Sequence, residues 1–281
     1  MRMRMQFTKM HGAGNDFVVV DATRVPFKPT PQLMGRLADR HFGVGCDQIL
    51  VLEPAQESGV DFNYRIFNAD GSEIGQCGNG SRCLARFIRD NQLSSKDVIR
   101  VRTKTSLLDL HLQADGQIRV NMGVPRLLPA EIPVAAAARA EKYHLKLEDG
   151  QRVEFAAVNM GNPHAVMEVA DVETARVDEV GAALQRHADF PQSVNAGFMQ
   201  VLDRAHITLR VNERGAGETL ACGSGACAAV VAGRLWGRLD EKVNVRVRGG
   251  MLLIEWGGEG QPVWMTGPAE TVFTGEIEWQ N

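Results

Sequence analysis

The sequence predicts an α/β protein, α+β-like in its local order, built from two pseudo-symmetric domains, each a curved mixed sheet around a central helix. Three observations carry this expectation. The chain repeats itself at a nearly constant offset. Each half alternates short strands with amphipathic helices, and each places a Cys-Gly block directly before a helix. The first half takes residues 1–123 together with a C-terminal strand, 268–281; the second takes residues 124–267.

"RIFNADGSEIGQCGNG" (65–80) lies over "RVNERGAGETLACGSG" (210–225) without a gap, pairing Arg65 with Arg210, Glu73 with Glu218 and Cys77 with Cys222. "GNDFVVVD" (14–21) lies over "GNPHAVME" (161–168), and "LADRHFGVGCDQ" (37–48) over "LQRHADFPQSVN" (184–195). "NMGVP" (121–125) faces "MTGPA" (265–269). Four weak matches at offsets of 144 to 147 residues, in one order, reinforce one another.

Within each half the elements follow in the same order. A strand enters a Gly-Asn loop (FTKMHGAGND; FAAVNMGNPH), and an amphipathic helix follows (PQLMGRLADRHF; VDEVGAALQRHA). Alternating strands come next (DFNYRIFN; HITLRVNE), then the Cys-Gly loop and a second helix. In the second half that helix, ACAAVVAGRLWGR, is apolar nearly all round and is expected to be buried. VNVRVRGGMLLIEW (243–256) reads as two strands about a Gly-Gly turn. PVAAAARAEKYH (133–144) reads equally as a short helix or a surface crossing.

Composition narrows the function. A formal charge of −3 leaves no basic footprint for nucleic acid. No apolar run is long enough for a membrane span, and the two N-terminal arginines precede no apolar signal core. A cytoplasmic protein is expected. Five cysteines, an odd number, argue against a disulfide framework.

The paired cysteines each stand where a helix begins. A helix N-terminus offers free N–H groups and about half a positive charge, which lowers a thiol's pKa and holds anions. Nearby glycines would let a ligand approach or supply positive φ. Zinc ligation by Cys77, Cys83, Cys222 and Cys227 is one reading, though their C-x5-C and C-x4-C spacings are long for a zinc knuckle. A Cys77–Cys222 disulfide and a pair of inert core thiols are others. The fourth is a functional pair. A two-fold arrangement of domains would aim both sulfurs into one cleft, one on each face of a small carboxylate's α-carbon. One thiolate would remove the α-proton and the opposite thiol would return one, inverting the centre. No lysine-centred pyridoxal motif is evident.

"KMHGAGNDF", "ADRHFGVGCDQ", "FNADGSEIGQCGNGSRC", "GNPH", "VNAGFMQ" and "ERGAGETLACGSGACA" together resemble the diaminopimelate epimerase family, from about Met5 to the end of the chain. The resemblance implies two barrel-like α/β domains with the active site in the cleft between them. It implies conversion of L,L-diaminopimelate to the meso form, in lysine and peptidoglycan precursor synthesis, with no cofactor and no metal. It implies an acid/base pair, Cys77 and Cys222, and carboxylate-holding groups at Gly78, Asn79, Gly223 and Ser224. Asn15, Gln48, Asn68, Asn162, Asn195 and Arg214 match positions that hold the substrate's distal amino-acid end. Glu213 and His164 match positions near the two thiols that tune them or hold the ammonium.

Three residues depart from the family's pattern: Asn212 where an aromatic is common, Ser81 where alanine is common, and Phe273 where some relatives carry a tyrosine in a dimer contact. Ser81 is expected to add a capping hydroxyl. A homodimer is expected, acting on a small amino acid. Two alternatives remain: a racemase of another amino acid such as proline, and a thiol-redox or zinc-binding protein.

Overall fold

The structure, a computed structural model, describes residues 2–75 and 77–280. Its elements are β1 (Arg2–Gly12), β2 (Asn15–Asp21), α1 (Pro31–Ala38), β3 (Gln48–Pro54), β4 (Phe62–Asn68), β5 (Glu73–Ile74), α2 (Gly78–Asp90), β6 (Val98–Arg102), β7 (Leu107–Leu112) and β8 (Ile118–Asn121). They continue as β9 (Tyr143–Lys146), β10 (Arg152–Asn159), β11 (Pro163–Glu168), α3 (Val177–Arg186), β12 (Asn195–Asp203), β13 (His206–Glu213) and β14 (Gly217–Glu218). The chain ends through α4 (Gly223–Leu235), β15 (Lys242–Val247), β16 (Gly250–Trp256), β17 (Val263–Gly267) and β18 (Glu270–Gln280). Two compact units result: Met1–Val120 with Gly267–Asn281, and Asn121–Thr266.

The two units share one pairing scheme. In the first, β1 pairs antiparallel with β18 and β2, β2 pairs parallel with β3, β3 antiparallel with β4, and β4 parallel with β6. In the second, β10 pairs antiparallel with β9 and β11, β11 parallel with β12, β12 antiparallel with β13, and β13 parallel with β15. Each parallel pair is bridged by a crossover helix: α1 between β2 and β3, α2 between β4 and β6, α3 between β11 and β12, and α4 between β13 and β15.

Local chemistry explains the elements. The β1–β2 hairpin pairs Gly12 with Asn15 across two residues of positive φ, Ala13 at 53° and Gly14 at 84°, a type I′ turn matched to strand twist. β2 buries Phe17, Val18, Val19 and Val20, the run expected of a strand covered on both faces. α1 begins at Thr30, whose hydroxyl accepts the Leu33 N–H at 3.2 Å, with Pro31 in its first turn. Its Met34 and Leu37 pack on Val18, Ile49 and Phe67. α3 likewise lays Val177, Val180 and Leu184 on Phe155, Phe190 and Phe198.

α2 touches β18, β1, β2, β3 and β7, strands from opposite ends of its sheet, so the sheet curls around it. α4 touches β10, β11, β12, β13 and β16 in the same way, and buries nearly every residue from Gly223 to Gly233. This two-unit mixed α/β fold is the one the sequence predicts. The 133–144 stretch is a surface crossing that becomes β9 at Tyr143, not a helix. The β15–β16 turn sits one residue earlier than its Gly-Gly pair suggests, at Arg248 and Gly249, because Val247 pairs with Gly250. Among the described residues, no helix is long and apolar enough to cross a membrane.

Candidate active site

In the first unit the parallel strands β2 and β3 start at the sheet end where the antiparallel β4 finishes. Asn15 opens β2, Gln48 opens β3 and Asn68 closes β4, so all three stand at that end. The Gln48 amide donates to Asn68 Oδ1 at 3.0 Å, and Asn68 Nδ2 donates to Ser72 Oγ at 3.1 Å. The other amide oxygen, Gln48 Oε1, is buried with no partner among the described residues.

Cys77 is the N-cap of α2, in extended backbone, and its Sγ accepts the Gly80 N–H at 3.4 Å. Gly78 and Asn79 form the first helical positions, whose N–H groups have no intrahelical acceptor. Asn79 Nδ2 donates to Asn15 Oδ1 at 3.2 Å, and that oxygen lies 4.0 Å from Cys77 Sγ. Gly80 is needed for space, not for positive φ: a Cβ there would fall 2.6 Å from the buried Tyr64 hydroxyl. Ser81 does not cap the helix. Its hydroxyl donates back to the Cys77 carbonyl at 2.9 Å, since the cap position belongs to Cys77.

The second unit repeats the plan with different side chains. Asn162 precedes β11, Asn195 opens β12, and Glu213 closes β13 with Arg214 following. By the repeat, Asn162, Asn195, Glu213 and Cys222 stand for Asn15, Gln48, Asn68 and Cys77. His164 and Asn195 are register partners across β11 and β12. Asn195 Nδ2 donates to Pro163 O at 3.0 Å and its Oδ1 accepts the Arg214 N–H at 2.9 Å. The Arg214 guanidinium is exposed and donates to Gln192 O at 2.8 Å.

Cys222 caps α4, followed by Gly223 and Ser224. Its thiol donates to Glu213 Oε2 at 3.1 Å, and Ser224 Oγ lies 3.6 Å from the sulfur. Thr219 holds the other carboxylate oxygen at 2.5 Å. Burial pushes the Cys222 thiol well above its ordinary pKa, and the Glu213 carboxylate pushes it further the same way. The expectation that a helix start lowers this thiol is therefore overturned: a nearby carboxylate and desolvation outweigh the helix end.

His164 is buried, and its Nε2 lies 2.9 Å from Asn162 Oδ1. The amide oxygen only accepts, so Nε2 carries the proton and Nδ1 is left as a buried bare acceptor without a partner among the described residues. Burial, then the Arg214 charge, lowers its pKa to about 3.

Glu73 and Glu218 support the loops, in two-bond pairs with Arg65 (3.0 and 2.9 Å) and Arg210 (2.6 and 2.7 Å). Asn212 faces α3, giving an N–H to Asp178 Oδ1 at 3.0 Å and accepting from Gln185 at 2.7 Å. Cys83 and Cys227 are fully buried within α2 and α4, and burial raises the packed Cys46 thiol to about 12. Sequence reasoning passed over two residues that grip the site: Thr219 and Asp47, which accepts from the Asn15 amide at 2.8 Å. Both lie inside quoted motifs, but nothing in their spacing marks the side chain they hold.

The chain matches the family model described as diaminopimelate epimerase over residues 7–128 and 156–272. A protein of that name from Azoarcus sp. is 58% identical over 276 residues, covering 98% of this chain and 99% of the relative. Another from Nitrosospira multiformis is 55% identical over 278 residues, covering 99% and 100%. Among solved structures, a hydroxyproline epimerase from Agrobacterium vitis with bound trans-4-hydroxy-L-proline superposes with a TM-score of 0.76. It covers 100% of this chain and 95% of its own at 17% identity. A probable proline racemase from Agrobacterium radiobacter gives 0.72, covering 97% and 92%, at 16% identity. These two likenesses concern the fold alone.

Proposed function

The chain belongs to the diaminopimelate epimerase family, and from that premise we propose that Cys77 and Cys222 are the acid/base pair that inverts the substrate's α-carbon. The protein is an isomerase that epimerises diaminopimelate in lysine biosynthesis. The roles of individual residues are our reading.

One observation carries it. The two cysteines cap equivalent helices, and each sulfur accepts the N–H of the glycine three residues on, but they face different acceptors. A neutral amide oxygen, Asn15 Oδ1, lies 4.0 Å from Cys77 Sγ, whereas the Cys222 thiol donates to the Glu213 carboxylate at 3.1 Å, which holds it protonated. In the resting state Cys77 is the base and Cys222 the acid. The Cys77 thiolate takes the α-proton and becomes a thiol. The electron pair remains on the α-carbon and its carboxylate, facing the N–H groups of Gly78, Asn79, Gly223 and Ser224. Cys222 then protonates the opposite face and becomes the thiolate, and the reverse reaction exchanges the roles. No cofactor or metal enters these steps.

Asn15, Gln48, Asn68, Asn162, Asn195 and Arg214 hold the distal amino-acid end. The bare acceptors Gln48 Oε1 and His164 Nδ1 suit ammonium groups, and the Arg214 guanidinium suits a carboxylate. We also read the enzyme as cytoplasmic and dimeric; Val272 and Phe273, 54% and 47% exposed on β18, are an apolar pair for a second copy to cover.

The test is turnover of L,L-diaminopimelate by the purified, reduced protein with chelator present, separating stereoisomers by chiral chromatography. The meso form should accumulate, and L-proline should be untouched. Racemisation of proline without diaminopimelate turnover would transfer the reading to a proline racemase.

A further inference from the structure

Asn15 is held by a charged cluster that touches no proposed reacting group. Asp47 Oδ2 accepts the Asn15 amide at 2.8 Å and the Asp16 N–H at 3.2 Å. Arg40 binds Asp47 Oδ1 at 2.8 Å and both oxygens of Asp16, at 2.8 and 3.0 Å. Asp16 also takes the Asp47 N–H at 2.9 Å and the Lys9 ammonium at 2.6 Å, and Lys9 donates to the Gly45 carbonyl. The loop leading into β3 is thereby stapled to the start of β2.

An amide has two unlike ends, and only its surroundings decide which way each points. A carboxylate accepts and cannot donate. Asp47 therefore fixes Nδ2 of Asn15 on its own side and turns Oδ1 toward Asn79 Nδ2, 3.2 Å away, and Cys77 Sγ, 4.0 Å away. Were the amide reversed, an N–H₂ would face the sulfur and stabilise its thiolate by donation.

We propose that Asp47, anchored by Arg40, Asp16 and Lys9, is a positioning residue that sets the orientation of the Asn15 amide and through it the protonation of Cys77. The inference rests on the reading of Cys77 as an acid/base group. The side chain of Asp47 is 46% exposed, so its loss leaves no buried cavity.

The test pairs Asp47→Ala with Asn15→Ala, alone and together, and reads two quantities. One is kcat/KM for L,L-diaminopimelate. The other is the pH midpoint of Cys77 alkylation by iodoacetamide, resolved by peptide mapping, which needs no turnover. Asp47→Ala should lower kcat/KM about tenfold, a small-shift magnitude for one misdirected polar group, and move the alkylation midpoint to lower pH. The double variant should be no worse than Asn15→Ala alone. Asp47→Asn, which keeps an oxygen for Asn15, should restore most of both readings. If Asp47→Ala melts early, Asp47→Ser serves, its hydroxyl being too short to reach Asn15. Unchanged alkylation and kcat/KM in Asp47→Ala, or effects of the two substitutions that add, would overturn the proposal. A native chain that fails to turn over diaminopimelate would count against the substrate reading, while the alkylation series would still judge Asp47.

Discussion

Cys222 shows how one neighbour reverses an inference drawn from backbone alone. Its place at a helix start argues for an easily ionised thiol. The carboxylate nine residues earlier, on β13, argues the other way and wins, because the thiol is desolvated beside it. Glu213→Gln should therefore move the alkylation midpoint of Cys222 to lower pH and cost about 100-fold in kcat, the lower end of the range of acid/base contributions. Thr219→Val, which frees one carboxylate oxygen, should cost less; equal losses would mean that Thr219 acts on more than Glu213.

His164 makes a prediction about stability. The unfolded chain protonates an ordinary histidine near pH 6.5, whereas the folded chain does so only near about 3. The unfolded state thus binds the extra proton across that window. The stabilisation is full above pH 6.5 and is lost as the pH falls toward about 3. His164→Gln should flatten the fall in urea-unfolding free energy between those values. A slope identical to that of the native chain would show that other groups carry the acid sensitivity.

At the scale of elements, the central helices begin against tight walls. Gly80→Ala drives a methyl into the Tyr64 hydroxyl at 2.6 Å and should cost about 1–3 kcal/mol of stability. Tyr64→Phe in the same chain should recover part of it, as read from urea midpoints. The paired ion pairs offer a matched comparison. The Arg210 and Glu218 side chains are 11% and 9% exposed, those of Arg65 and Glu73 33% and 23%. Arg210→Met should therefore cost more stability than Arg65→Met, because it removes both hydrogen bonds from a more deeply buried carboxylate and leaves it only the Arg248 guanidinium, 3.3 Å away. Equal costs would contradict the burial argument.

Legibility also divides at this scale. Strand alternation, the crossover helices and the all-apolar α4 were readable because each is a local pattern that burial enforces. The Cys-Gly blocks stood out because the chain states them twice. What could not be read was any contact between strands. Nothing in the order of residues says that Asp47 reaches Asn15, that Glu213 meets Cys222, or that Asn212 turns toward α3. The glycines misled for a related reason: Gly80 answers to a tyrosine on another strand, not to its own φ.

For the whole molecule, one strand-pairing scheme is used twice, and the same sheet end carries the polar cluster each time. Duplication supplies two thiols of similar placement, and divergence separates them: the Asn15 amide faces the first, while the Glu213 carboxylate accepts from the second. That asymmetry is what a two-base inversion needs, one partner charged and the other protonated before the substrate arrives. The most direct test of this account is solvent deuterium entering the α-carbon of L,L-diaminopimelate in D₂O, with the native chain, Cys77→Ala and Cys222→Ala. The account predicts uptake coupled to inversion in the native protein and a severe loss of inversion in both variants. Inversion at near-native rate in either variant would contradict it.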